Sequence, residues 1–226
     1  MSSFDFARGH ILTELWIARS AILRALGTTC AIAGSGILGG ITIAAFASVA
    51  ATFGPASLRR LIDLYVFVLR GIPLLVTMLF LFFGLGSVWK AISAEFTAVL
   101  ALGLFAGAYL TEDFRGAMQS ISMAHKEAAK ALGLPFWSRI RFVIFPLSIC
   151  RALPSAVNTA VEMSKATTLV SALGIVDLLL SGQQLAMRTL LIPEVYVTLW
   201  AVYLIINSGL TVLGRWLERR YSYVVY

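Results

Sequence analysis

The sequence predicts an all-α integral membrane protein with five transmembrane helices, and three observations predict it. Hydrophobic residues make up 59% of the 226 and charged residues only 13%, with a mean hydropathy of +0.88, too little polar surface for a water-soluble domain. Apolar runs fall at 30–53, 61–89, 96–111, 143–180 and 195–213, and a helix needs about 20 apolar residues to cross a bilayer. None of these runs alternates with the ten-residue rhythm of a membrane β-barrel, so helices must satisfy the backbone inside lipid. The whole chain, 1–226, reads as one membrane domain.

Residues 1–26 keep charges at Arg8, Glu14, Arg19 and Arg24, unlike a signal peptide, so no cleavage is expected. Leu12, Leu15, Trp16, Leu23 and Leu26 recur at helical spacing, which predicts an amphipathic helix on the outer membrane surface. The core of the domain follows over 27–220. Its first span carries Gly27, Gly34, Gly36, Gly39 and Gly40, a small-residue pattern that lets membrane helices approach closely. Gly54-Pro55 breaks it, and Ser57 is the expected cap of the next helix. The second span is interrupted at Arg70-Gly71-Ile72-Pro73, where proline removes a backbone donor and a kink is expected.

The third span ends in a polar cluster from Tyr109 to Arg115, too dense for lipid contact. Residues 116–151 form the longest polar stretch, read as two short helices, Lys126 to Leu132 and Phe136 to Phe145, broken at Gly133-Leu134-Pro135. In the fourth span Asn158, Glu162, Ser164, Lys165, Thr167 and Thr168 interrupt the apolar pattern, which is costly unless they find partners. The chain ends in a basic, aromatic membrane-exit segment, Arg215 to Arg220.

The net charge of +7 is scattered between apolar spans and forms no stripe that follows phosphates, which argues against nucleic acid. It reads instead as topology. Arg59, Arg60, Lys126, Lys130, Arg139, Arg141, Arg151, Arg215, Arg219 and Arg220 fall on one side of a five-span arrangement, against Arg8, Arg19, Arg24, Lys90 and Arg188 on the other. The positive-inside rule places the 116–151 loop and the C-terminus in the cytoplasm and the N-terminus outside. Cys30 and Cys150 have no CxxC partner and read as small buried hydrophobes. No nucleotide-binding loop, HExxH, GxSxG or Cys/His cluster is present, and His125 reads as a surface residue.

The segment Glu127-Ala128-Ala129, three residues, Gly133, nine residues, then Val143-Ile144-Phe145-Pro146 closely resembles the EAA loop of ABC-importer permeases, with Val143 and Phe145 in place of Ile and Leu. Arg70-Gly71-Ile72-Pro73-Leu74-Leu75-Val76 resembles the RGTPLLV stretch of the polar amino acid branch. So do Gly107-Ala108-Tyr109 through Phe114-Arg115-Gly116, and Arg151-Ala152-Leu153-Pro154 with Asn158. The resemblance, which spans 27–220, implies a permease subunit of an ATP-driven importer of polar amino acids or their derivatives. It further implies partner ATPase subunits that bind ATP and Mg, a second permease subunit, identical or homologous, and an extracytoplasmic solute-binding protein. Glu127, Ala128, Ala129, Gly133 and Pro146 would form the joint to the ATPase. This chain would bind no cofactor or metal and would not itself be an enzyme.

Physics supports that joint: a short helix with small residues beside an acid, ended by a glycine, is a compact knob for a groove in a cytoplasmic partner. The competing reading is a solvated loop helix with a Glu127–Lys130 pair. Asn158, Glu162 and Lys165 share one face of the fourth span, offering amide, carboxylate and ammonium to a zwitterionic substrate; the alternative is an ion pair within the helix packing. Glu162 suits a cationic substrate group and Lys165 argues the other way. The family's usual acid after that lysine is Ala166 here, which leaves Lys165 without its customary partner. Glu112, Asp113 and Arg115 read as a salt-bridge cluster at the cytoplasmic surface, and Arg70 as a structural residue at the kink. Asp177, Gln183 and Gln184 mark a candidate outer gate. An ion-gradient-driven secondary transporter is the alternative function.

Overall fold

A computed structural model describes residues 3–88 and 92–221, so Lys90 lies outside the described residues, as do the side chains of Arg8 and His10. The described residues fold as helices: α1 Ser3–Phe53, α2 Ala56–Gly71, α3 Leu74–Val88, α4 Ala94–Ser120, α5 Met123–Ala131 and a short α6 Phe136–Arg139. A π turn, Ile140–Ile144, leads into α7 Phe145–Ala166, followed by a 3₁₀ segment Thr167–Leu173, α8 Leu178–Thr189 and α9 Ile192–Tyr221. α1, α4, the continuous run Phe136–Leu173 and α9 are long and apolar enough to span a membrane; α2 and α3 together form a fifth span bent by 106°.

α4 sits at the centre, and its small side chains are the reason. Thr97, Ala98, Ala101, Leu102, Gly103, Ala106, Gly107 and Ala108 are all buried, and Ser93 starts the helix by accepting from the Phe96 N–H at 3.1 Å. α1 lies directly on it. A Cβ on Gly36 would stand 2.7 Å from the Leu102 Cβ, and one on Gly40 would stand 2.6 Å from the Ala106 Cβ and 3.0 Å from the Gly107 nitrogen. The predicted close approach is therefore specific to this stretch, since Gly27 and Gly34 face open space. α2 is pinned to the same helix by the Tyr65 hydroxyl, which donates to the Leu104 carbonyl at 2.6 Å. α3 packs on its other end through Leu74 and Met78, in a core with Ala98, Ala101 and Leu102.

Each break has a local cause. Pro73 has no N–H for the carbonyl one turn earlier, and Ile72 before it is extended (φ −109°, ψ 135°), so α2 stops at Gly71 and α3 leaves at a steep angle. Pro146 acts differently. The helix loosens ahead of it into a π turn, in which the Phe145 N–H reaches back to the Ile140 carbonyl, and then continues. The second predicted loop helix thus runs into the fourth span without a stop. At the far end the span tightens into the 3₁₀ turn; Thr167, Thr168 and Ser171 donate to carbonyls three residues back at 2.7–2.9 Å, and Gly174 ends it in the left-handed region at φ +77°. Those hydroxyls are satisfied within their own helix, which removes most of the cost anticipated for them.

Four expectations are corrected. Residues 3–26 do not form a separate surface helix: α1 is one 51-residue helix, about 77 Å long at 1.5 Å per residue. Its packed stripe is Ile11, Leu15, Ala18, Ile22 and Leu26, set against α8 and α9 through Leu178, Leu185, Val195 and Leu199, while Leu12, Trp16 and Leu23 are exposed. Ser57 does not cap α2; Pro55 occupies the cap position with no side-chain bond, its ring presetting the backbone. Cys30 is exposed and Cys150 half-buried, because an apolar environment outside the chain removes the pressure to bury small apolar side chains. Asp177 is fully buried and caps α8, accepting from the Leu180 N–H at 2.8 Å, so it braces a helix start and lines no opening.

Two predictions follow from this packing. Gly40→Val should destabilise the solubilised protein by about 1–3 kcal/mol through overpacking against α4, and Gly34→Val should be near neutral, as read by thermal unfolding. Burial pushes the Asp177 carboxyl above its ordinary 3.8, against the opposing pull of the Leu180 and Leu179 N–H groups. A raised folded-state value means this group contributes most below its ordinary value and loses that contribution as pH rises through the folded one. Asp177→Asn keeps the acceptor without the charge, so its unfolding temperature should gain on the wild type as pH rises from about 4 toward neutrality. Asp177→Ala should lose the cap, about 1 kcal/mol, at every pH.

Candidate functional site

α5 is a nine-residue helix suspended between two membrane spans. Its C-terminus is closed by a Schellman motif: the Gly133 N–H bonds the Lys130 carbonyl at 3.0 Å and the Leu134 N–H bonds the Ala129 carbonyl at 3.3 Å. Gly133 holds φ +72° with nothing within 4 Å of where a Cβ would be, so the backbone turn, not space, requires glycine there. Before the helix, Ser122 Oγ and His125 Nδ1 lie 2.7 Å apart on the exposed side. The loop's ends are tied together by Arg151, whose Nη1 donates to the Ser120 carbonyl at 2.5 Å and to its Oγ at 3.1 Å.

The predicted joint residues divide by face. Glu127 and Ala128 are exposed, Ala129 is buried, and below Ala129 lies a cavity of about 180 Å³ lined also by Phe53, Lys126, Phe136 and Ile140. Pro146 is in α7, one turn beyond the loop. Glu127 makes no ion pair with Lys130: the four ion pairs among the described residues are Asp63–Arg115, Glu112–Arg115, Glu162–Lys165 and Glu14–Arg188. Around α5 large apolar side chains stand out, Met123 at 64%, Leu132 at 79% and Trp137 at 70% exposure. In so polar a stretch they form an interaction surface.

On α7, Asn158, Glu162 and Lys165 are all exposed along one face, as their spacing predicts. Lys165 is not left alone: its Nζ lies 3.4 Å from Glu162 Oε1, with side-chain exposures of 56% and 68%. Glu162 thus replaces the acid missing at position 166. A charged pair this exposed on a membrane span does not face lipid, where each charge costs about 2.5–3.5 kcal/mol even on insertion scales.

The polar end of α4 is joined to both neighbours. Arg115 Nη1 bonds Asp63 Oδ1 of α2 at 2.6 Å and its Nη2 bonds Glu112 Oε2 at 2.8 Å; on the other side Thr159 Oγ1 of α7 donates to Asp113 Oδ2 at 3.3 Å. The salt-bridge reading of this cluster therefore holds, extended by Asp63, which sequence reasoning passed over. A lone acid one turn after Arg59 in an apolar run was the available signal. Arg70 lies over the Tyr109 ring, 4.6 Å from its centroid. Asp63, Arg70, Glu112 and Arg115 line a single open cavity of about 620 Å³, with Val66, Phe67 and Gly71. Among the described residues no group of three His, Cys, Asp or Glu is arranged to hold a metal ion.

Comparison with known proteins places this arrangement. The chain is 33% identical over 210 residues to the glutamine transport system permease protein of Escherichia coli strain K12, covering 92% of this chain and 96% of that one. It is 33% identical over 173 residues to the histidine/lysine/arginine/ornithine transport system permease protein of Salmonella typhimurium, covering 70% and 74%. Its fold superposes on a chain from the crystal structure of an amino acid ABC transporter with a TM-score of 0.83 at 26% identity, covering 91% and 96%. A methionine ABC transporter in an inward-facing conformation shares the fold with a TM-score of 0.77 at 17% identity, covering 90% and 97%. Residues 20–223 match the binding-protein-dependent transport system inner membrane component family, and the chain belongs to it.

Proposed function

We infer that this chain is the permease subunit of an ATP-driven importer for a polar amino acid or a close derivative, handed over by an extracytoplasmic binding protein. The observation that carries this reading is family membership over nearly the whole chain, joined to a capped, outward-facing α5 held between two spans. The relatives named above transport glutamine or basic amino acids, which supports the substrate class. Family membership favours this reading over an ion-gradient-driven transporter. ATP and Mg are bound by separate ATPase subunits; this chain binds neither and catalyses no reaction.

Coupling runs through α5. Glu127 and Ala128 face the ATPase, with Met123, Leu132 and Trp137 adding apolar contact, while Ala129 seats the helix against its own subunit. Gly133 sets the angle at which α5 leaves, and the π turn ahead of Pro146 passes its displacement into α7 without breaking the helix. When the ATPase dimer closes, the two α5 helices are drawn together and the spans reorient. Asn158, Glu162 and Lys165 face the pathway formed with a second permease subunit, the Glu162–Lys165 pair opening to meet a zwitterion.

Orientation follows from charge. Phe53 at the end of α1 stacks edge-on against Phe136 at 5.8 Å and Arg151 bonds Ser120, which supports a shared basic end for Arg59, Arg60, Lys126, Arg139 and Arg151. That end is cytoplasmic and the N-terminus external.

In the reconstituted complex of permease, ATPase and binding protein, Glu127→Arg and Gly133→Val should insert normally but lose ATP-dependent uptake. Gly133→Val forces a β-branched residue into the left-handed region, a local cost of about 1–2 kcal/mol. Normal uptake by both would refute the coupling role. Glu162→Gln should depress uptake of cationic amino acids about tenfold more than of neutral ones; equal loss for every substrate would reduce Glu162 to a packing role.

A further inference from the structure

The cavity between α2 and α4 has chemistry left over. Arg115 is fully engaged, to Asp63 on one edge and to Glu112 Oε2 on the other. Glu112 Oε1 is buried without a hydrogen-bond partner, an unmet acceptor on an ionised group. Arg70 has the opposite surplus: its guanidinium face rests on Tyr109, it belongs to none of the ion pairs among the described residues, and its N–H edges remain open to the cavity it lines. One free cationic donor and one free carboxylate oxygen, facing a common space, are the complement of a zwitterion.

The backbone adds to the match. Gly71 lines the same cavity, and the chain breaks immediately after it, with α2 and α3 meeting at 106°. Pro73 has no N–H to give the carbonyl of Leu69, so the break leaves backbone acceptors beside Arg70. Interrupted spans with free backbone groups are where transporters hold small polar solutes. At about 620 Å³, the cavity falls within the size range of small-molecule sites.

We propose that this cavity binds the zwitterionic end of the transported amino acid, its carboxylate on Arg70 and its ammonium on Glu112 Oε1, a contact point separate from the polar face of α7. The site rests on the reading of the chain as an amino-acid permease. Asp63 and Arg115 act as positioning residues: they hold Glu112 by one oxygen so that the other points inward. A phospholipid headgroup carrying a primary amine presents the same pair of charges, so the source of the zwitterion must be separated by experiment.

The test is equilibrium binding of radiolabelled glutamine, arginine and histidine to the permease–ATPase complex in phosphatidylcholine nanodiscs without binding protein, beside ATP-dependent uptake by the full system. Wild type should bind saturably at least one amino acid that it transports. Arg70→Gln should weaken that binding about tenfold or more, with Arg70→Lys intermediate, while basal ATP hydrolysis is unchanged. Agmatine, which lacks the carboxylate of arginine, should compete poorly in wild type and no worse in Arg70→Gln. Asp63→Asn should leave binding within about threefold. If Arg70→Gln and Asp63→Asn lower uptake and ATP coupling together without changing binding, the cluster is a brace and the proposal is overturned. Binding abolished by phosphatidylethanolamine in the nanodisc, with no loss in Arg70→Gln, overturns it in favour of a lipid site. Failure of wild type to take up any amino acid overturns the permease reading along with it; failure confined to the variants overturns this site alone.

Discussion

Every other element in this chain depends on how closely helices can approach α4. Lipid tails are as apolar as leucine, so helices in a bilayer gain little by hiding apolar surface and must gain instead from contact at short range. Gly103, Ala106, Gly107 and Ala108 give α4 a surface with almost no side-chain relief. A Cβ on Gly107 would lie 2.8 Å from the Tyr65 hydroxyl and 2.9 Å from Ile43 Cγ2, so that one glycine admits α1 and α2 at once. The same closeness lets Tyr65 reach a backbone carbonyl on α4 and sets α2 at the height where Asp63 meets Arg115. The polar network at the end of α4 is thus a consequence of small residues two turns away.

Much of this was legible in the sequence, and the reasons differ from place to place. The span count came from length, because bilayer thickness imposes it. The break at Gly71-Ile72-Pro73 came from proline chemistry, and the closing turn of α5 from Gly133. The loop motif marked its own position by spacing. What was misread shares one cause: inside lipid, hydrophobicity ceases to say which side faces the protein. Leu12, Trp16 and Leu23 are apolar and exposed; Ala18 and Ile22, overlooked, are in the packed stripe. Cys30 was assigned to the interior on the same false premise. Asp177 escaped for the converse reason, since an acid beside an apolar run looks functional until its helix start is seen.

Asp63 shows the limit of reading along the chain. Its partner is 52 residues away, on a helix whose register against α2 depends on glycine contacts that no local pattern encodes. Thr159 and Asp113, 46 residues apart, are a similar case. Local signals located the polar residues; only the tertiary arrangement determined which of them spend their charge on one another and which are left over.

That remainder defines the chain as part of a larger object. A membrane penalises exposed charge and water penalises exposed large apolar groups, and this subunit has both in the wrong places: Glu162 and Lys165 exposed along a span, Leu132 and Trp137 exposed in a polar loop. Neither arrangement is stable for a lone polypeptide. Each becomes favourable when a second permease encloses a water-filled pathway beside α7 and an ATPase covers α5. The two mismatches sit at opposite ends of one continuous run, Phe136–Leu173, since α6 enters α7 through a π turn and not a hinge. A displacement imposed on the loop by one partner is therefore delivered, along a single helix, to the charges that face the other.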